Sequence, residues 1–109
     1  MSHNHKPHIL HHDKYAYVAY CPKCLCFQLG FGNIYLNQSL EDLKAFAQLI
    51  NEHNHKYQQR EDRNRRDIFI DSPCANFGVV LTANELERVN HILQKTLLIL
   101  ATKDKARLQ

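Results

Sequence analysis

The residues best suited to chemistry are two cysteines separated by two positions, in the string Cys21-Pro22-Lys23-Cys24. Two thiols at this spacing on a tight turn reach the same zinc ion, which prefers four ligands in a structural site. The same spacing occurs in thiol–disulfide enzymes, where the pair begins a helix that lowers the pKa of the first thiol. A third interpretation needs no function, because cysteine is often buried as a small apolar side chain.

A zinc site at this turn needs ligands beyond the pair. Cys26 lies two residues after Cys24, and alternate residues of a strand point to the same face. Cys74 lies in a loop that the fold can bring near, and a histidine such as His8 can also complete the set. We therefore name Cys21 and Cys24 as candidate zinc ligands, and Cys26 and Cys74 as weaker candidates.

The residues around the pair predict a turn between two strands. Residues 15–21 alternate aromatic with small or branched side chains, and residues 25–32 alternate as well and contain two glycines. A strand after the second cysteine disfavours the thiol–disulfide interpretation, which requires a helix there. It suits a zinc knuckle, although such a turn usually has glycine where this chain has Leu25.

A two-residue turn at Gly32-Asn33 sets the register of the next hairpin. Both residues tolerate the positive φ that tight hairpin turns require. The alternation then places the apolar side chains of both strands on one face, with Leu29 opposite Leu36.

Another hairpin is predicted before the cysteine pair. Residues 8–12 precede a tight turn at Asp13-Lys14 and pair with the strand that follows. In this register Leu10 lies opposite Tyr17.

Two amphipathic helices follow caps that the sequence identifies. Ser39 caps a helix that extends to about Asn54. Thr82 and Glu85 form a capping box for a longer final helix. The apolar arc of that helix is wide, which indicates a central place in the core or contact with a second chain.

The order of these elements predicts one α+β domain with two layers, an antiparallel sheet of about four to six strands and two helices on one face. Each helix follows a pair of strands, and an internal duplication of a strand-strand-helix unit is one explanation. We assign residues 1–7 to a flexible, His-rich N-terminus, residues 8–103 to the domain and residues 104–109 to a polar tail.

The sheet face turned away from the helices is predicted to remain uncovered. Its side chains are Tyr15, Tyr17, Cys24, Cys26, Gln28 and Tyr35. With the wide arc of the last helix, this aromatic and polar face indicates a homodimer.

The composition restricts the class of protein further. Of 109 residues, 44% are hydrophobic and 23% are charged, which excludes wholesale disorder. No apolar run approaches the roughly 18 residues of a membrane helix, and the polar start lacks the apolar core of a signal peptide. We therefore expect a cytoplasmic protein with reduced thiols and no membrane contact.

The net charge and the histidine content do not point to a specific binding partner. The net charge is +3, and acidic residues interrupt the only dense basic stretch, residues 56–67. Runs of mixed sign are usually solvated surface, so we expect no nucleic-acid partner. Of the eight histidines, five precede Asp13, where a flexible polar end accounts for them.

Four segments, found in both halves of the chain, resemble the sequence of a known family. They are Cys21-Pro22-Lys23-Cys24, then residues 27–36 (FQLGFGNIYL), residues 66–70 (RDIFI) and residues 78–86 (GVVLTANEL). Over about residues 15–100 the chain resembles a family of small bacterial proteins known only as a domain of unknown function. The resemblance implies no activity and no catalytic residue. It implies that the cysteine pair belongs to the family pattern and that Cys74 does not, which weakens a four-thiol site with Cys74.

Two classes of function remain. The first is a non-catalytic interaction or accessory domain with a structural zinc ion at the cysteine turn. The alternative is a thiol–disulfide redox protein that uses the same pair. The chain contains no nucleophile elbow, phosphate-binding glycine loop or metalloprotease motif, so we expect no catalytic residue and no cofactor besides zinc.

Overall fold

The computed structural model describes residues 7–72 and 77–108, with the backbone alone for residues 103–108. Its elements are β1 (His8–His12), β2 (Ala16–Cys21), β3 (Cys26–Phe31), β4 (Ile34–Gln38), α1 (Leu40–Lys56), β5 (Ile68–Asp71), β6 (Gly78–Leu81) and α2 (Ala83–Leu108). The predicted α+β class is confirmed. Neither helix in the described ranges is long and apolar enough to cross a membrane.

The strands form two antiparallel sheets. Four strands pair in the order β1-β2-β3-β4, and β5 pairs with β6 separately. The larger sheet is thus within the predicted four to six strands, while the two-layer arrangement stays a prediction. After β2 the element order is strand, strand, helix, twice, as a duplication would produce, and the duplication itself stays a hypothesis. Because α2 continues to Leu108, the polar tail assigned to residues 104–109 begins inside a helix.

Burial of one sheet face explains the register of the central strands. Val18 lies opposite Leu29, which in turn lies opposite Leu36. Val18 and Leu29 are buried, and Leu36 packs against the same core. Gly32 adopts φ +59° in the turn between β3 and β4. The turn chemistry and the apolar alternation agree, and this hairpin register is confirmed.

Both helices and the smaller sheet contribute to the same core. The buried apolar residues of the helices are Leu43, Phe46, Ala47 and Ile50 from α1 and Ala83, Leu86, Val89, Ile92 and Leu93 from α2, and the smaller sheet adds Ile68, Ile70, Val79 and Leu81. Leu98 of α2 is exposed. The wide arc of α2 is therefore explained largely by a central place in the core.

The first hairpin differs from the predicted register. His12 lies opposite Tyr17, so residues 13–16 join the strands instead of the predicted two-residue turn at Asp13-Lys14, and the pairing is also irregular between Ile9 and His11. The extra residue is Leu10, which packs against the core. A bulge inserts one residue into one strand and shifts all pairs beyond it. The prediction that Leu10 faces Tyr17 is therefore wrong.

Two residues predicted for the uncovered sheet face lie elsewhere. Tyr15 precedes β2 and packs against the core, and the guanidinium of Arg88 lies over its ring, 4.8 Å from the centroid. Cys24 lies in the turn before β3. The uncovered face is consequently smaller than the sequence suggested.

The basic segment between α1 and β5 is fastened to the start of α2. Arg63 donates to Asn84 Oδ1 at 3.0 Å and to Glu87 Oε1 at 2.8 Å. Arg66 donates from both terminal nitrogens to Glu85, at 2.6 and 2.9 Å. Bidentate pairs of this kind fix geometry as well as charge. These arginines hold one part of the chain against another, and the absence of a nucleic-acid partner stays a prediction.

Thr82 and Glu85 form the predicted capping box of α2. The Glu85 N–H donates to Thr82 Oγ1 at 3.0 Å, and the Thr82 N–H donates to Glu85 Oε1 at 2.9 Å. Two N–H groups that the helix itself leaves without acceptors are thereby satisfied. Since Glu85 also binds Arg66, the cap and the fastening of the basic segment share one carboxylate.

Thr82→Ala should lower the free energy of unfolding by about 1 kcal/mol, because it removes one of these acceptors. Urea denaturation followed by circular dichroism measures the change. Thr102→Ala is the matched control, since that hydroxyl donates to the Leu98 carbonyl on an exposed part of the same helix. The free energy of unfolding of Thr102→Ala should stay within about 0.5 kcal/mol of the wild-type value. An equal loss of stability in both variants would contradict the stabilising role of the capping box.

Candidate metal centre

The cysteine pair lies on the turn that joins β2 to β3. The register of these strands pairs Cys21 with Cys26, so residues 22–25 form the loop. The Leu25 N–H donates to the Cys21 carbonyl oxygen at 2.9 Å, and this hydrogen bond closes the loop between the two strands. Cys21 and Cys24 are therefore brought together at the end of the hairpin, where the sequence places the turn.

The sulfur of Cys21 accepts a hydrogen bond from the backbone. The Cys24 N–H points at Cys21 Sγ at 3.3 Å. The neighbouring Cys24 thiol, the N–H groups of Cys24 and Lys23, and the Lys23 ammonium together hold the pKa of Cys21 below its ordinary value. Each of these groups stabilises the thiolate over the thiol.

The Cys24 thiol has the opposite tendency. Its hydrogen bond with Cys21, its desolvation and the negative charges of Cys21 and Cys26 raise the pKa of Cys24 to about 11. Because the two thiols are in contact, a negative charge on one sulfur makes the second proton harder to remove. A divalent cation that replaces both protons removes the repulsion that retains the second one.

Exposure differs between the two thiols in a way that bears on chemistry. Cys21 is only 3% exposed, whereas Cys24 is exposed. A thiol–disulfide enzyme needs its low-pKa thiol accessible to the substrate disulfide. Here the thiol with the lowered pKa is the covered one, and the residue after the turn begins a strand instead of a helix.

The other candidate thiols differ in their relation to the pair. Cys26 lies opposite Cys21 in the ladder, and its side chain hydrogen-bonds with that of Cys24. Cys74 lies outside the described residues. Within residues 7–72 and 77–102, no three side chains of His, Cys, Asp or Glu are gathered in a group that could hold a metal ion.

The histidines do not join the thiols in the described part of the chain. His8 lies opposite Tyr20, and their rings meet edge to face at 6.5 Å between centroids. Adjacent strand residues point to opposite faces, so His8 lies on the face opposite to Cys21. His11 Nε2 instead lies 2.7 Å from Asp13 Oδ2.

Lys23 and Leu25 also influence the thiol turn, and the sequence did not predict how they do so. The charge of Lys23 acts on Cys21. Leu25 adopts φ +55° and is 68% exposed. A left-handed conformation costs a residue with a Cβ roughly 1–2 kcal/mol. The sequence did indicate the unusual backbone conformation of Leu25, because leucine stands where such a turn usually has glycine.

Leu25→Gly should raise the free energy of unfolding of metal-free protein by about 1 kcal/mol, because glycine adopts this φ without strain. Gly32→Ala is the reciprocal variant: its φ is +59° and nothing lies within 4 Å of the added Cβ. It should lower stability by about the same amount, from backbone strain alone. Thermal denaturation of both variants measures the two shifts, and a destabilised Leu25→Gly would show that the side chain makes a stabilising contact.

A cleft elsewhere is lined by polar residues that already serve the fold. Tyr15, Arg66 and Glu85 line it, and Arg66 pairs with Glu85. The Tyr15 hydroxyl is buried and has no hydrogen-bond partner among the described atoms, and desolvation is the main cause that raises its pKa to about 12. Among the described residues no thiol or histidine lines the cleft, so the thiol turn is the stronger candidate for chemistry.

Comparison with known proteins assigns a family without a function. A family model, described as a family of unknown function (DUF6686), matches residues 1–105. No curated protein and no solved structure matches the chain. The resemblance to an uncharacterised family is thus confirmed, and the match names no activity, ligand or partner.

Proposed function

The chain belongs to the family of unknown function DUF6686, and we propose that it is a non-catalytic interaction or accessory domain in which Cys21 and Cys24 hold a structural zinc ion. The observation that carries the proposal is the hydrogen bond of 3.3 Å from the Cys24 N–H to Cys21 Sγ. A donor at this position stabilises the negative sulfur that zinc requires and orients it.

A structural role follows from what the turn needs. Leu25 holds the turn closed in a strained conformation, and an ion bound by the thiols at both ends of the turn offsets that strain. Zinc at such sites contributes directly to folding. The proposal includes a cytoplasmic location, since a reducing compartment keeps both thiols able to bind metal.

Untagged protein should retain zinc through purification, as measured by elemental mass spectrometry. Cys21→Ser and Cys24→Ser should each lose it, because each removes one thiolate ligand. Removal of zinc from the wild type by a chelator should lower the Tm by about 5 °C or more, which corresponds to the loss of roughly 1 kcal/mol of stability.

His8→Ala is the control for this experiment and should keep its zinc, because His8 lies on the face away from the thiols. The two serine variants carry the same N-terminal histidines as the wild type, so zinc that remains in Cys24→Ser reports histidine binding. Equal zinc content in the wild type and in both serine variants would contradict the proposal.

The alternative is a thiol–disulfide redox protein that uses Cys21 and Cys24. The contact between the two thiols and the lowered pKa of Cys21 favour it. The covered position of Cys21 and the strand that follows the turn count against it, because disulfide exchange requires access to the attacking thiolate.

Alkylation of metal-free protein as a function of pH separates the two functions. Under our proposal Cys21 reacts slowly because it is covered, and Cys24 reacts faster only as the pH rises toward its pKa of about 11. Peptide mapping by mass spectrometry identifies the alkylated residue. Rapid alkylation of Cys21 alone near pH 7 would favour the redox protein.

A further inference from the structure

Strand β6 has one edge that no described strand pairs with. It pairs only with β5, in a sheet of two strands. In an antiparallel ladder, residue pairs that exchange hydrogen bonds alternate with pairs that do not. The Ser72 N–H donates to the Phe77 carbonyl oxygen at 2.9 Å, and counting along the register places Gly78 and Val80 in pairs that exchange none. The N–H and C=O groups of these two residues therefore point away from β5, along the open edge.

A cleft runs along this open edge. Arg66 lines the cleft, and its terminal nitrogen lies 3.5 Å from the Val80 carbonyl oxygen, a distance at the limit of a hydrogen bond. All of β6 lines the cleft, and Tyr15 and the β3–β4 turn, residues 31–34, form much of the remaining wall. The volume is about 480 Å³, within the range of clefts that hold ligands.

The backbone groups at the open edge determine what kind of molecule fits. Another extended chain carries N–H and C=O groups at the same spacing, and so it can continue the ladder. Natural edge strands are commonly protected by charged side chains or by proline, and β6, with the sequence GVVL, contains neither. Gly78 is exposed and has no side chain to cover the edge.

An arginine beside the cleft determines the charge of the partner. The cleft continues past Tyr15, Arg66 and Glu85 to Arg88. Arg66 pairs with Glu85. The Arg88 guanidinium lies over the Tyr15 ring and makes no hydrogen bond or ion pair with any described residue. A carboxylate of the partner would give this guanidinium the acceptor that the described part of the chain does not supply.

We propose that β6 binds an extended segment of a partner protein by strand addition, with an acidic side chain of the segment paired to Arg88. The proposal rests on the interaction-domain part of the proposed function and names its surface and the kind of partner. The backbone of the segment hydrogen-bonds with Gly78 and Val80, and its apolar side chains lie against Tyr15 and the β3–β4 turn. Because Tyr15 precedes β2 and Cys21 ends it, the thiols lie at the far end of that strand, and binding does not require zinc.

Selection of displayed random seven-residue peptides on the immobilised full chain tests the proposal, followed by fluorescence anisotropy with the selected peptides. We expect the selected sequences to alternate apolar residues with aspartate or glutamate. Their affinity should fall as salt is raised, because salt screens charge pairs near the surface.

Val80→Pro is the decisive variant, because proline lacks the N–H that an added strand requires. Proline is tolerated where this N–H points away from the paired strand, so the ladder with β5 remains. Phe69→Pro is the matched control, since Phe69 lies opposite Val80 and its N–H points out at the other edge of the same sheet. Val80→Pro should weaken peptide binding by about tenfold or more, and Phe69→Pro should keep the wild-type affinity. Circular dichroism and thermal denaturation establish that both variants are folded.

Arg88→Gln tests the charge without a change to the strand. It should weaken binding of an acidic peptide by about threefold. The same peptide with glutamine in place of glutamate should bind the wild type and Arg88→Gln equally. An equal loss with both peptides would show that Arg88 does not pair with the carboxylate, and would overturn that part of the proposal.

The remaining outcomes each decide one claim. Selection that yields no binding peptide, or only peptides rich in lysine and arginine, would overturn the proposal. Peptides that bind Val80→Pro as well as the wild type would place the interaction on another surface and leave the interaction domain standing. Peptide-free protein that is a dimer and becomes a monomer in Val80→Pro would assign the edge to a second copy of this chain instead. Zinc content, measured in the same samples, tests the metal claim separately.

Discussion

Burial of one face of the central strands against the helices is the constraint on which the rest depends. Val18 lies beside Leu29 in the core, and a slip of one strand by one residue would turn its apolar side chains to the other face of the sheet. That register pairs Cys21 with Cys26 and leaves four residues to close the hairpin. The chain reverses within four residues by placing the last of them, Leu25, in the left-handed region. Packing of the core thus determines the geometry of the thiols.

The thiol turn is consequently held at the end of a paired hairpin. Cys21 is covered because it ends a buried strand, and Cys24 is exposed because it lies in the loop. One backbone N–H crosses the turn to the Cys21 sulfur. This arrangement places the two sulfurs together, with that of Cys24 exposed and that of Cys21, which has the lowered pKa, covered. Such a division suits coordination of an ion better than attack on a disulfide.

Features encoded by neighbouring residues were predictable, whereas those that depend on distant contacts were not. The Gly32 turn, the Thr82 cap and the cysteine turn each depend on a few adjacent residues, and the structure has all three. The bulge at Leu10 depends on how β1 meets the core, which no local pattern encodes. Arg63 looked like solvated surface because its partners Asn84 and Glu87 lie more than twenty residues away. The separate pairing of β5 with β6 depends in the same way on the packing of the whole chain.

The order of the strands has a consequence for synthesis of the chain. The larger sheet pairs only strands that are neighbours in sequence, so its ladders need contacts across short loops and form quickly. All four strands end by Gln38, and α2 begins at Ala83. Ribosomes deliver the N-terminal part first. The hairpin that carries the thiols is therefore synthesised, and can pair, before the helix that completes the core is translated.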